Sequence, residues 1–98
     1  MTAWLIVTAH VHDRAGFMAG YAPAASALVE KFGGEYLIRA PAAQQLEGKG
    51  GAGASIVVSQ WPDKAAALAF WNSPEYADAK RLREGMADVS VLLIEAPG

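Results

Sequence analysis

The stretch WNSPEY at residues 71–76 decides how this chain folds, because it ends one helix and begins another. The hydroxyl of Ser73 can cap the second helix, and Pro74 suits the first helical position, where no backbone N–H is needed. Glu75 then places a negative charge near the positive end of that helix. The break is therefore specified by the sequence, and the elements on either side can be read outward from it.

Hydrophobic spacing and turn residues predict the other elements. Their order is strand, helix, strand, strand, broken helix, strand. This order predicts an α+β fold, a ferredoxin-like βαββαβ sandwich in which two helices cover one face of a four-stranded antiparallel sheet. The predicted elements are strand one from about Ala3 to Val11, a helix capped by Asp13, kinked at Pro23 and ended by Gly33-Gly34, strand two from Tyr36 to Arg39, strand three from Ser55 to Trp61, a helix capped by Asp63 from Lys64 to Trp71, its restart at Ser73 running to about Gly85, and strand four from Val89 to Glu95.

Length and charge limit the classes of function. The 98 residues are enough for one domain, which we expect to span residues 1–98. The net charge of −2 provides no field that attracts phosphates, and the basic group at Lys80, Arg81 and Arg83 is interleaved with Asp78 and Glu84. We therefore expect no nucleic-acid partner. The chain has no cysteine and no apolar run of the roughly 20 residues that cross a bilayer, so we expect no membrane association and a cytoplasmic location.

Both faces of the predicted sheet are apolar. Leu5 and Val7 share one face of strand one, whereas Trp4 and Ile6 share the other, and strands three and four repeat the pattern. An antiparallel sheet with one wet face should instead alternate apolar and polar residues. Because the two helices can cover only one face, the sequence predicts a homodimer through the open sheet face, burying on the order of 1,600 Å².

Four groups of residues follow one another along nearly the whole chain: FGGEYLIR at 32–39, LEG at 46–48, AFWNSPEY at 69–76 with Arg83 downstream, and ADV at 87–89. In this order they resemble the domain of unknown function 1330 family, within the dimeric α+β barrel superfamily. The resemblance implies the same fold and dimer, and a pocket beside each sheet for small, often aromatic molecules. It implies no reaction, because the superfamily includes cofactor-free monooxygenases, lactone isomerases, haem enzymes and stress-associated proteins. Ala40-Pro41 and Ser55 depart from the family pattern.

Arg39 is the first candidate for a functional residue. It ends a short apolar strand, so its guanidinium can be drawn into a site where it pairs with a ligand carboxylate. A structural ion pair with Glu47 or Glu75 would explain it equally simply. Arg39 is therefore predicted to bind a ligand or to take part in catalysis, and the ion pair stays open as the alternative.

His10 and His12 lie two residues apart on strand one and share a face, as two metal ligands would. The sequence offers no further His or Cys as a third ligand, and Asp13 is occupied as a helix cap. We therefore predict no metal site and no cofactor. His10 or His12 is a candidate general base instead, because an imidazole can take up and release a proton near neutral pH, with a surface or strand-end histidine as the alternative.

Aromatic side chains near the helix break supply further candidates. Tyr21 and Tyr76 can direct hydroxyls into a pocket between helix and sheet, and Trp71 can stack on a planar ligand. Core packing is the alternative for all three, since aromatic residues at helical spacing usually face a core. Ser73 is explained by capping, and the glycine-rich segment 48–53 leads into a strand rather than a helix, unlike a phosphate-binding loop.

Three hypotheses of function follow. The first is a cofactor-independent monooxygenase- or isomerase-like enzyme in which Arg39 holds an anion and His10 or Tyr21 moves protons. The second is a non-catalytic protein that binds a small aromatic or anionic ligand through Arg39, Trp71 and Tyr76. The third is a structural dimer without a pocket.

Overall fold

The computed structural model describes residues 1–97 and contains one four-stranded antiparallel sheet with strand order β2-β3-β1-β4. The order of the elements along the chain and the pairing of the strands both match the predicted ferredoxin-like βαββαβ arrangement. The predicted α+β fold is therefore confirmed. Each strand is a little longer than, or equal to, the predicted one. The strands are β1 at Thr2–Val11, β2 at Glu35–Ala40, β3 at Ser55–Trp61 and β4 at Ala87–Ala96.

Each of the two connecting helical regions is broken. The second break lies at Ser73, as predicted, but the last helix ends at Arg81 and does not reach Gly85. Gly85 instead takes a positive φ of 74° in the turn that leads into β4. No helix within residues 1–97 is long and apolar enough to cross a membrane. The helices are α1 at Arg14–Gly16, a π-helical segment at Phe17–Tyr21, α2 at Ala22–Lys31, α3 at Lys64–Trp71 and α4 at Pro74–Arg81.

The predicted caps are confirmed by backbone hydrogen bonds. The Asp13 carboxylate accepts from Gly16 N at 2.9 Å, and the Asp63 carboxylate accepts from Ala66 N at 2.8 Å. Ser73 does more than cap, because its hydroxyl accepts from the Tyr76 backbone N at 3.0 Å and also donates to a carbonyl oxygen of α3 at 2.8 Å. The break between α3 and α4 is thus held from both sides.

The first helical region departs from the sequence-based expectation at Pro23. We expected a kink at this proline, but the irregularity is the π-helical segment just before it, where the Ala22 N–H bonds to the Phe17 carbonyl. Pro23 lies in the first turn of α2, and its missing N–H costs little there. The wide π turn therefore provides the entry into α2 that the proline requires.

The core lies between the helices and one face of the sheet. Trp61 is 1% exposed, and its ring centroid lies 5.0 Å from that of Phe70 on α3. A side chain at position 34 would overlap this indole, because a Cβ built on Gly34 would be 2.6 Å from the Trp61 ring. The glycine that follows the end of α2 thus lets the chain pass closely over the largest core residue.

The strand register separates the two faces as the alternation predicted. Leu5 pairs with Ser59 and Leu93 on the face towards the helices, whereas Ile6 pairs with Val58 and Leu92 on the other face. Leu92 is 64% exposed there, and the same open face carries the exposed side chains of Ile38 and Ile94. Within residues 1–97, these apolar side chains are exposed to solvent.

Candidate functional site

A cavity of about 270 Å³ lies between the helices and the sheet. This volume is near the lower end of the range for small-molecule sites, about 300–1,000 Å³. Most of its wall is apolar and comes from β1, β3, the π-helical segment and α2. The principal apolar contributors are Leu5, Val7, Val57, Phe17, Met18 and Val29.

Two tyrosine hydroxyls meet in this cavity. Tyr21 comes from the π-helical segment and Tyr76 from α4, and their hydroxyl oxygens lie 2.7 Å apart. Burial, reinforced by the neighbouring Tyr76, raises the pKa of the Tyr21 hydroxyl well above its usual value, so Tyr21 is neutral at physiological pH. The pair is therefore suited to donating a hydrogen bond and poorly suited to removing a proton.

Other side chains pack against the rings of the two tyrosines. The guanidinium carbon of Arg83 lies 5.3 Å from the centroid of the Tyr21 ring, and the Trp71 ring packs against Tyr76 at 5.3 Å. Lys80 places its ammonium 4.6 Å from the centre of the Trp71 ring. Tyr21, Tyr76 and Trp71, which the sequence suggested as candidates, thus all line one cavity, and they also contribute to packing.

Arg39 reaches the same cavity because β2 contains a bulge. Tyr36 pairs with Ser59 and Ile38 with Val58, so Leu37 is an extra residue relative to β3. Residues three apart in a regular strand point to opposite faces, yet the bulge lets Tyr36 and Arg39 both line the cavity. The guanidinium carbon of Arg39 lies 4.7 Å from the Tyr36 ring centroid.

Arg39 does not form the ion pair with Glu47 or Glu75 that was the alternative to ligand binding. Glu75 pairs with Lys31 at 2.9 Å, and that hydrogen bond lowers the pKa of the Glu75 carboxyl. Arg39 makes no ion pair within residues 1–97. Its charge partly offsets the effect of burial, which still raises the pKa of the Tyr36 hydroxyl.

The sequence reasoning missed Arg14. This residue lies in α1, lines the cavity and donates from its guanidinium to the Ser55 hydroxyl at 3.2 Å. Ser55 in turn donates to the Pro41 carbonyl at 2.9 Å. One signal was available, because a positive charge in the first turn of a helix opposes the helix dipole and so suggests a purpose other than helix stability.

His10 does not belong to the cavity. It continues the open face of β1, pairs with Asp88 in the register and donates from Nε2 to the Gly50 carbonyl at 2.8 Å. His12 lies just after β1 and bonds to the Asp88 carboxylate at 2.9 Å. The structure therefore separates His10 from Arg39 and Tyr21, and no group of three or more metal-ligating side chains occurs within residues 1–97.

Several solved structures share this fold. The chain is similar to a protein of unknown function from Rhodopseudomonas palustris, with a TM-score of 0.79, 16% identity, and coverage of 99% of this chain and 83% of the other. It is similar to SnoaB, a cofactor-independent oxygenase from Streptomyces nogalater, with a TM-score of 0.72, 12% identity and coverage of 99% and 94%.

A third similar structure is that of a dimeric ferredoxin-like protein of unknown function from Jannaschia sp. CCS1, with a TM-score of 0.66, 13% identity and coverage of 98% and 100%. At these identities the likeness concerns the fold alone. The chain has no significant match among curated proteins. Residues 2–97 match the family described as Domain of unknown function (DUF1330), and the chain belongs to that family.

Proposed function

We propose that this chain forms a homodimer and binds a small, largely apolar molecule in the cavity between its helices and its sheet. The observation that carries the proposal is the Tyr21–Tyr76 hydroxyl pair inside an otherwise apolar cavity. A buried polar pair is costly unless it is hydrogen-bonded, and such convergent polar groups in an apolar pocket are typical of ligand sites.

The open sheet face supports the dimer. Leu92, Ile94 and Ile38 are 64%, 45% and 51% exposed in the single protomer. A contiguous apolar surface of this kind is unusual on a soluble monomer. A two-fold partner covers it with an identical surface, and the similar protein from Jannaschia is described as dimeric. The cytoplasmic location remains part of the proposal, and cell fractionation tests it.

Cavity filling tests the binding function. Ala22 on α2 lines the cavity, whereas Ala27 on the same helix is exposed and lies outside it. We expect members of a library of small planar compounds to raise the melting temperature of the unmodified protein. Ala22→Phe should abolish these shifts, and Ala27→Phe should leave them unchanged. Equal shifts in both variants, or no shift with any compound, would contradict the proposed pocket.

A second candidate function is a cofactor-independent oxygenase, which the shared fold with SnoaB favours. In such a reaction an activated methylene group and one O2 give a carbonyl and one water, so the substrate supplies the electrons. The cavity lining contains no His, Asp or Glu, and its tyrosines are hydrogen-bond donors. The substrate must therefore be acidic enough to ionise without a strong protein base.

Oxygen uptake tests this second function. A compound that binds in the screen and carries an acidic methylene should consume O2 only in the presence of the protein. Tyr76→Phe should reduce the rate while retaining most of the binding, because the hydroxyl pair would stabilise the oxygen anion of the substrate. If the compound binds tightly but is neither oxidised nor isomerised, the protein binds its ligand without catalysis.

A further inference from the structure

We infer that the ligand of this cavity is an elongated apolar carboxylate. Arg14 and Arg39 bind its carboxylate at one end of the cavity, and the hydroxyl pair of Tyr21 and Tyr76 donates to an oxygen atom at its other end. The inference deepens the proposed binding function and rests on it. It is carried by the charges of the lining, the neighbouring positions of the two arginines along β3 and the position of the hydroxyl pair along the sheet.

The charge of the cavity lining is positive although the protein is acidic overall. Arg14 and Arg39 are the charged side chains of the lining, and no Asp or Glu accompanies them. The whole chain has a net charge of −2. Both arginines are partly open to solvent, and within residues 1–97 neither forms an ion pair. Two arginines without a carboxylate partner at one cavity favour an anionic ligand.

The two arginines lie at neighbouring positions along β3. Arg14 donates to the Ser55 hydroxyl at 3.2 Å, which fixes one guanidinium at the end of β3. Arg39 pairs with Val57, two residues further along the same face of β3. Diagonal neighbours of this kind have Cβ atoms about 7–8 Å apart, within reach of a long side chain. Both guanidiniums can therefore approach one carboxylate, a group that arginine binds in a bidentate manner.

Arg14 and the hydroxyl pair lie towards different ends of the cavity. Ser55, which accepts from Arg14, pairs with Ala9, whereas Ser59 and Tyr36 pair at the level of Leu5. Four residues of strand, about 13 Å, separate these two backbone levels. Arg39 lies between them, because it pairs with Val57 and its guanidinium carbon is 4.7 Å from the Tyr36 ring centroid. Tyr76 belongs to the core cluster that contains Leu5, and Tyr21 and Tyr36 pack against that cluster. The ligand must therefore be long enough to reach from the arginines to the hydroxyl pair.

The hydroxyl pair has one proton to spare. One tyrosine O–H donates to the other oxygen, so the second O–H remains available as a donor. The neighbouring lining residues Phe70, Val91 and Leu5 offer no side-chain acceptor. A ligand oxygen, either a phenol or a carbonyl, satisfies this donor, whereas a purely hydrocarbon end leaves it unpaired in an apolar surrounding at a cost in affinity.

Three related compounds test both ends of the ligand. The probes are 3-(4-hydroxyphenyl)propanoate, its neutral carboxamide and 3-phenylpropanoate, with affinities measured by isothermal titration calorimetry at low salt. We expect the hydroxyl-bearing acid to bind about tenfold more tightly than its carboxamide. The double variant R14Q/R39Q should abolish this preference while retaining carboxamide binding. R81Q, which removes an exposed arginine paired with Asp78, should retain the preference.

The two acids test the contact between the second polar end of the ligand and the tyrosine hydroxyls. The hydroxyl-bearing acid should bind about fivefold more tightly than 3-phenylpropanoate, and the double variant Y21F/Y76F, which removes both hydroxyls, should remove that difference. Equal binding of acid and carboxamide, or a preference that survives in R14Q/R39Q, would overturn the carboxylate assignment but leave the pocket. A failure of all three probes to bind, together with no thermal shift from any planar compound, would overturn the proposed function itself.

Discussion

The two faces of the sheet are built from the same kinds of side chain but have different surroundings. Leu5, on the face towards the helices, is 5% exposed, whereas Leu92, on the open face, is 64% exposed. The chain's own helices cover the first face and leave a cavity against it, lined by tyrosines and arginines. The open face carries the exposed aliphatic side chains of Ile38, Leu92 and Ile94.

The comparison shows that apolar alternation alone does not identify a ligand site. Both faces carry aliphatic side chains, but the helix-covered face combines them with tyrosine hydroxyls and arginine side chains that line one cavity. Tyr21 and Tyr76 are 55 residues apart in sequence and meet through their hydroxyls. We therefore assign ligand binding to the covered face and self-association to the open face, and each of the following experiments tests this division.

The largest expected effect is on the covered face. Phe70 is 4% exposed and lies 4.4 Å from the Tyr76 ring and 5.0 Å from the Trp61 ring, centroid to centroid. Phe70→Ala should lower the free energy of unfolding by about 3–5 kcal/mol through lost burial and a residual cavity. Urea unfolding at a fixed protein concentration measures it. Leu82→Ala, at a site 45% exposed, is the control, and equal losses would contradict the assignment of the core.

A charged substitution on the open sheet face tests its role in dimer formation. Ile94 and Leu82 are both 45% exposed, but only Ile94 lies on the open sheet face. Ile94→Asp should weaken the dimer about a hundredfold, because an unpaired carboxylate would be buried in the interface. Sedimentation velocity measures the dissociation constant, and Leu82→Asp should leave it unchanged. If the unmodified protein is monomeric at micromolar concentration, the assignment of self-association to the open face is wrong.

The helix break tests how the covered face is assembled. Ser73→Ala should lower the free energy of unfolding by about 1–2 kcal/mol, because the substitution leaves the buried Tyr76 N–H without its acceptor and removes one of the donors to the Phe70 carbonyl. Asp63→Ala removes an exposed cap and should cost less. Thermal unfolding of both variants makes the comparison, and a larger loss for Asp63→Ala would contradict the role of Ser73.

The smallest expected effect is the alkaline pH dependence of stability. Burial raises the pKa of Tyr21 in the folded protein, whereas an unfolded tyrosine ionises near pH 10. The native state then holds the extra proton above pH 10, so the free energy of unfolding falls as pH rises. Between about pH 10 and 11, Tyr21→Phe should lose about 1 kcal/mol less than the unmodified protein. Parallel losses in urea titrations would show that Tyr21 is not buried in the native state.

Local sequence signals were sufficient for most of the fold. The capping side chains Asp13, Asp63 and Ser73 satisfy backbone donors within a few residues, so their positions could be predicted without knowledge of the tertiary structure. Strand alternation likewise follows from backbone geometry, and it separated the two faces correctly. The end of α4 and the site of irregularity near Pro23 were predicted less well, because helix ends depend on tertiary packing as well as on local residues.

The sequence by itself therefore determined the order of the elements, the helix caps and the presence of two apolar sheet faces, since these depend on residues close together in the chain. The tertiary structure decided which side chains share the cavity. The bulge at Leu37 brings Arg39 to the face of Tyr36, and strand pairing turns His10 away from it. The physical reason is that one extra residue in a strand reverses the direction of every later side chain, and only pairing with β3 fixes where that residue lies.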